Sequence, residues 1–222
     1  EPLPAPPVDR PNDPAAQAIA AAAEASTLKV SAATCGLSTV GTGFVVANGY
    51  VVTNAHVVAG ADPHGIRVRA GGQTLDAVAV VFDPDLDIAL LHVSDLSAPA
   101  LRLAAQDPNR GAVGAALGFP GGGRLTVVPA AVTGRYPATG HDIYGEGRVR
   151  REILELRATV ARGDSGGPLV LTDGTVGGVV FAEARTNPDV GYALTPRAVA
   201  VAIQPGFGRT AAVGTGACLT EP

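Results

Sequence analysis

Between residues 42 and 184 the chain is a succession of short runs rich in Val, Ile, Leu and Thr, each broken by Gly, Pro, Asn or Asp: GFVVANGYVVTN, IRVRAGGQTLDAVAVVF, DIALLHV, AVGAALGF, RLTVVPAAVTGRY, REILELRATV and GPLVLTDGTVGGVVFAEA. Branched side chains suit a pleated, half-buried surface, so such runs bounded by turn residues read as strands. Asn48-Gly49 and Asp173-Gly174 each sit between two runs, where the left-handed backbone of a tight hairpin turn favours them. Many short strands leave many edges, and closure into a sandwich or barrel removes those edges. The expected fold class is all-β.

Two helices flank the strands. PAAQAIAAAAEAST is dominated by the best helix former, with Pro14 just inside its start, and predicts a helix over 15–28. TPRAVAVAIQPG predicts a short helix capped by Thr195, with Pro196 in its first position and a Pro-Gly stop. Ahead of them, EPLPAPPVDRPNDP holds six prolines in fourteen residues, the composition of an extended tether, so residues 1–14 are expected to be a linker. The chain starts at Glu1 rather than Met, and we expect a piece excised from a longer precursor.

At 222 residues the chain is long enough to bury a substantial core. It has no apolar run long enough to span a bilayer as a helix, so membrane attachment is expected only through segments absent from the chain. A net charge of -4 gives no basic footprint, and nucleic acid is not an expected partner. The two cysteines, Cys35 and Cys218, lie near the two ends of the folded part. That placement suggests a disulfide stapling the ends, the alternative being two unrelated buried thiols. In the loop-entropy model such a bridge stabilises by up to about 5 kcal/mol, and it implies an oxidising, extracytoplasmic compartment. The four histidines show no ligand spacing, and neither a metal nor a cofactor is expected.

The chemistry centres on ARGDSGGPLV, residues 161–170. A serine hydroxyl is a weak nucleophile unless a base takes its proton and donors hold the charge that develops on the substrate oxygen. Gly163 lets the backbone turn so that its N–H and that of Ser165 point at one spot, while Gly166 and Gly167 leave the approach open. The same residues also make an ordinary tight turn. Of the histidines, His56 follows an apolar strand in GYVVTNAHVV, where a ring stands at a strand end beside a cleft. His64 in DPHG, His92 in LLHV and His141 in ATGHDIYGEG read as turn, strand and loop histidines. An orienting carboxylate must hold the imidazole tautomer. FDPDLDIALLHV offers Asp83, Asp85 and Asp87, and Asp87 directly precedes the apolar run.

Chain order selects among scaffolds. GDSGG satisfies the G-x-S-x-G pattern of α/β-hydrolases, yet no histidine follows Ser165. The subtilisin order needs an aspartate before the histidine, and only Asp9 and Asp13 of the Pro-rich opening precede His56. What remains is His56, Asp87, Ser165, the order of the chymotrypsin type.

Over roughly residues 38–204 the blocks GTGFVVANGYVVTNAHVV, DPDLDIALLHV and GDSGGPLV resemble the His, Asp and Ser blocks of chymotrypsin-like serine proteases, especially the HtrA (DegP-like) branch. LGFPGGG and VGYALTP resemble two further family stretches. The resemblance implies two six-stranded β-barrels, the first over about 38–105 and the second over about 110–204, with a tail over 205–222 and the site between them. It implies catalysis by His56, Asp87 and Ser165, an oxyanion hole from Gly163 and Ser165, and a specificity pocket with Thr159 near its floor and Ala182 and Glu183 on its wall. Because Thr159 is no carboxylate, selectivity for Lys or Arg is not expected. No PDZ domain follows, so a PDZ-dependent trimer is not implied and a monomer is expected. Asp164 stands where HtrA proteases carry Asn, without the activating N-terminus that pairs with it in digestive relatives.

The Pro-rich opening, the cysteine pair and the single Lys29 resemble the membrane-anchored mycobacterial acid-resistance proteases of this family. Protein or peptide substrates in the cell envelope follow as the expected partners. An imidazole with a pKa of about 6.5 is mostly protonated in acid and is then no base. The enzyme would therefore work near neutral pH, work slowly in acid, or carry a depressed His56 pKa. A protease-like fold that only binds peptides is the competing function, and its signature would be a missing triad member.

Overall fold

The computed structural model describes residues 5–219, so the first four residues of the expected linker and the last three of the tail lie outside it. Twelve strands form two closed antiparallel barrels. The first contains β1 (Thr27–Thr34), β2 (Leu37–Ala47), β3 (Tyr50–Thr53), β4 (Ala61–Ala70), β5 (Gln73–Asp83) and β6 (Ile88–His92) in the order β1-β2-β3-β6-β5-β4. The second contains β7 (Val113–Gly118), β8 (Thr126–His141), β9 (Arg148–Arg157), β10 (Pro168–Leu171), β11 (Val176–Glu183) and β12 (Val190–Leu194) in the order β10-β11-β12-β9-β8-β7. Asn48-Gly49 joins β2 to β3 and Asp173-Gly174 lies between β10 and β11, as the hairpin signals predict.

Alternation builds each interior. Leu28, Val30 and Ala32 of β1 are buried, and with Ile66, Val68, Ala77 and Leu91 they fill the first barrel. Leu154, Leu156, Leu169 and Val180 fill the second. A third cluster seals the barrels together, with Phe44, Val52, Ile88 and Leu90 of the first against Ala115, Leu117, Val179 and Leu194 of the second. Each such Leu or Phe, fully buried, contributes on the order of 1.5–3 kcal/mol, so the seam between the barrels is a true core.

The first helix, α1 (Asp13–Ala20), is shorter than its alanine content predicts. Asn12 accepts the Ala15 N–H as its cap, and the helix gives way to a turn and a 3₁₀ segment at Glu24–Ser26. Thr27 and Leu28, expected to be helical, instead open β1 opposite Phe44 and Gly43. Pairing with a buried strand outweighs alanine's local preference, which is worth only tenths of a kcal/mol per residue. The first barrel therefore begins at Thr27 rather than near residue 38. The described part of the Pro-rich opening lies along the second barrel, where the carbonyls of Pro6 and Val8 accept from Arg110 and Arg157.

A one-turn helix α2 (Ala55–Val58) follows β3, and α3 (Pro196–Ile203) follows β12, with Thr195 accepting the Ala198 N–H as predicted. Beyond α3 the chain returns to the first barrel. Phe207 packs edge-on against Tyr50, the Val213 N–H donates to Ala79, and Thr215 accepts the Gly60 N–H and donates to Ala61. Cys218 then pairs with Cys35 in the β1–β2 turn as a disulfide, with Cα atoms 6.2 Å apart. The bridge and the strap before it tie the C-terminal segment, which leaves the second barrel after β12, to the first barrel.

Candidate active site

His56 lies on α2, just beyond the end of β3, and Asp87 lies immediately before β6, its neighbour in the barrel. Adjacent strand ends bring the two side chains together. His56 Nδ1 is 2.7 Å from Asp87 Oδ2, and the His56 backbone N–H donates to Asp87 Oδ1 at 2.9 Å. Asp87 adopts a left-handed backbone, φ 65°, and its carbonyl accepts from Asn54 Nδ2 at 2.8 Å. The Asp87 side chain is 7% exposed and that of His56 30%, so the carboxylate is shielded while the imidazole opens to a cleft. Asp83, the other strand-end carboxylate, instead caps its own turn by accepting the Asp85 and Leu86 N–H groups.

Burial pulls the His56 pKa down, but the charge of Asp87 and its hydrogen bond outweigh burial and the opposing Arg151. The net direction is upward from 6.5. That direction runs against the depressed-pKa route to activity in acid.

Ser165 faces the same cleft, about 700 Å³, lined by His56, Val160, Ala161, Arg162, Phe181 and Ala182, with Glu183 and Arg185 at its edge. Gly163 has φ 102°, a conformation that L side chains rarely adopt. Among the described residues, neither the Gly163 N–H nor the Ser165 N–H has an intramolecular hydrogen-bond acceptor, while the flanking Asp164 N–H and Gly167 N–H bond to Ala161 and Asp164. Two unspent donors flanking the serine are the chemistry an oxyanion requires. Gly166 and Gly167 serve a different purpose from the open approach expected of them: a side chain on either would strike backbone, Thr42 O in one case and Leu117 O in the other. They allow close packing behind the serine.

Asp164 is buried, and its Oδ2 accepts the Ala161 N–H at 2.9 Å. Among the described residues no cation pairs with it. Burial pushes its pKa up, the Ala161 bond opposes this, and Glu183 adds to the rise.

A model of the trypsin-like peptidase domain matches residues 41–179, which contain His56, Asp87 and Ser165. The chain belongs to the trypsin-like peptidase family. Among curated proteins it is 41% identical over 205 residues to serine protease Rv3671c of Mycobacterium tuberculosis, covering 91% of this chain and 51% of that protein, so it spans about half the length of that relative. The crystal structure of the M. tuberculosis Rv3671c protease in its active form superposes with a TM-score of 0.91 at 39% identity, over 99% of both chains. The inactive form gives 0.80 at 38%, covering 91% of this chain and 100% of that one. The HtrA-type protease AlgW with a bound tripeptide gives 0.73 at 26%, over 87% of this chain and 63% of that one.

Within this trypsin-like frame one pocket residue falls elsewhere than expected. Thr159 is exposed and bonds Asp189 Oδ1 at 3.3 Å, and it does not line the cleft. After β9 the side chains alternate, Ala158 in, Thr159 out, Val160 in, so Val160 faces the cleft and packs where a side chain on Gly191 would stand. Ala182 and Glu183 line the cleft. Val160, Phe181, Arg162 and Arg185 escaped sequence reasoning, although the in-out alternation through ELRATVA would have picked out Val160.

Proposed function

We propose that the chain is a serine endopeptidase acting on protein substrates outside the cytoplasm. His56 Nε2 takes the Ser165 hydroxyl proton as Ser165 Oγ attacks a peptide carbonyl, and Asp87 holds the ring with its proton on Nδ1. The carbonyl oxygen becomes an oxyanion, received by the N–H groups of Gly163 and Ser165. His56 returns the proton to the departing amine, leaving an acyl-enzyme. Water, deprotonated by His56, then attacks the ester, and the collapse releases the acid and Ser165. The observation that carries this reading is the 2.7 Å His56–Asp87 contact opening onto the cleft that holds Ser165, whose own N–H and that of Gly163 are unspent among the described residues.

Val160 and Ala182 give the cleft an apolar wall, and the carboxylate that lines it, Glu183, is exposed, which supports cleavage after small or medium apolar residues rather than after Lys or Arg. The disulfide supports an oxidising location, in keeping with a role in envelope stress or acid defence. With the His56 pKa raised, that role is exercised where the envelope stays near neutral pH. The test is labelling by a fluorophosphonate probe and hydrolysis of an unfolded protein by wild type and Ser165→Ala. Labelling and turnover that vanish in the variant support the reading, and equal behaviour of the two proteins overturns it in favour of a binding module.

A further inference from the structure

Thr42, on β2 of the first barrel, is fully buried, and its polar atoms are spent largely on the serine loop of the second barrel. Its hydroxyl donates to Gly163 O at 2.7 Å and accepts the Phe119 N–H at 3.0 Å. Its backbone N–H donates to Ser165 O at 2.8 Å, and its carbonyl accepts from Thr53 Oγ1 at 2.7 Å. A hydroxyl has one proton, and with an amide donor on one side and a carbonyl on the other its direction is set.

Two peptide planes meet at Gly163 Cα: the one before it carries the Gly163 N–H, and the one after it limits how far that plane can turn. The plane after Gly163 is pinned directly, through Gly163 O on Thr42 Oγ1. The plane before it is pinned through Arg162 O, which accepts the Gly121 N–H at 2.7 Å. Gly121 belongs to the 119–123 loop, whose first N–H rests on the same hydroxyl and whose Gly122 carbonyl is held by Lys29 of β1. With both carbonyls turned into the protein, the Gly163 N–H is left facing the cleft. Glycine at φ 102° lacks the side chain that would otherwise resist rotation, so the restraint must come from these bonds.

We infer that the Thr42 hydroxyl is a positioning residue for the oxyanion hole: one side chain of the first barrel holds Gly163 of the second in its donating orientation. This rests on the proposed serine-protease reading. It makes the hole a property of the docked barrels rather than of the GDSGG loop alone.

The test compares wild type, Thr42→Val and Thr42→Ser by steady-state hydrolysis of a peptide ester and a peptide amide, with melting temperature as the fold control. Valine keeps the volume and removes both hydroxyl bonds. It should lower kcat by about 10²-fold, the scale of one lost oxyanion donor, with KM changed less than about threefold. Serine restores the hydroxyl and should return kcat to within a few-fold of wild type. If Thr42→Val does not fold, Thr42→Cys, with its weak donor, takes its place with an intermediate kcat loss expected. Wild-type kcat in the variant that lacks the hydroxyl, equal impairment of the serine variant, or a loss confined to KM overturns the inference. Wild-type protein without Ser165-dependent hydrolysis overturns the protease reading and this inference together.

Discussion

Replacing Asp87 by asparagine tests the proposed catalytic pair by exchanging one carboxylate oxygen for an amide nitrogen with little change of shape. Asparagine tolerates the left-handed backbone at this position, so φ 65° should be kept. The amide has one acceptor and one donor end. The His56 backbone N–H, 2.9 Å from Oδ1, requires the acceptor there. The amide NH₂ is thereby forced toward His56 Nδ1, the atom now 2.7 Å from Oδ2. A donor facing Nδ1 stabilises the tautomer whose proton is on Nε2, and that ring cannot accept the Ser165 proton. Holding the wrong tautomer should lower kcat by about 10⁴-fold, about 5.5 kcal/mol of barrier.

The pH profile supplies a second, independent sign. In wild type the raised His56 pKa means the neutral base is lost as pH falls through a value above 6.5, so activity declines on the acid side from there. Asparagine removes both upward influences, the charge and the hydrogen bond of Asp87, and leaves burial and Arg151, which both act downward. The acid limb of the residual activity should therefore move to lower pH while its plateau drops. The linked stability runs the opposite way to activity: the raised pKa of wild-type His56 stabilises the fold fully below about 6.5, and this is lost as pH rises through the folded value. Profiles of kcat/KM from pH 4 to 9, with Ser165→Ala as background, decide the matter. A variant retaining more than about a tenth of wild-type kcat, or an acid limb that does not move, would refute the tautomer argument.

Cys35→Ser, or reduction, should lower the melting temperature. The bridge spans 183 residues, so the entropic ceiling is about 5 kcal/mol and the corresponding shift about 10–20 °C. A thermal scan showing no shift would mean that the strap from Phe207 to Thr215 carries the stabilisation alone. Gly118→Ala would place a methyl group against Asp164 Oδ1 and within 2.9 Å of Asp164 Cα. It should push Asp164 off Ala161, costing about 1–3 kcal/mol and most of kcat. Unchanged melting and turnover would show that the Ala161–Asp164 contact is dispensable.

The strands β2 to β11 and the order of the three candidate residues could be read directly, because alternation, turn pairs and chain order are local or one-dimensional signals. β1 could not be read the same way. An alanine-rich stretch runs into it, and only the pairing of Thr27–Thr34 with β2 and β4 converts the weak alternation of Leu28, Val30 and Ala32 into a strand. The floor of the cleft slipped by one residue for a related reason: in a strand a shift of one position exchanges faces, so Thr159 and Val160 trade places between solvent and site. The strap beyond α3 has no periodic signal. Its course is set by Tyr50, Ala79, Gly60 and Ala61, residues more than a hundred positions away.

Asp164 illustrates why a motif can be legible while its mechanics are not. In GDSGG the aspartate reads as a latch waiting for a cation, yet the carboxylate is spent on the Ala161 N–H three residues upstream. The loop closes on itself through that bond and the reciprocal Asp164 N–H to Ala161 O bond, and its outward ties run to Gly121 and Thr42. On the proposed reading, this loop is fastened by Ala161, Gly121 and Thr42 in place of an amino terminus. It needs the first barrel in place. If the proposed oxyanion hole is right, the third core cluster, Phe44, Val52 and Ile88 against Leu117, Val179 and Leu194, is then as much a condition of oxyanion binding as Gly163 itself. Loosening that seam should lower kcat before it unfolds either barrel.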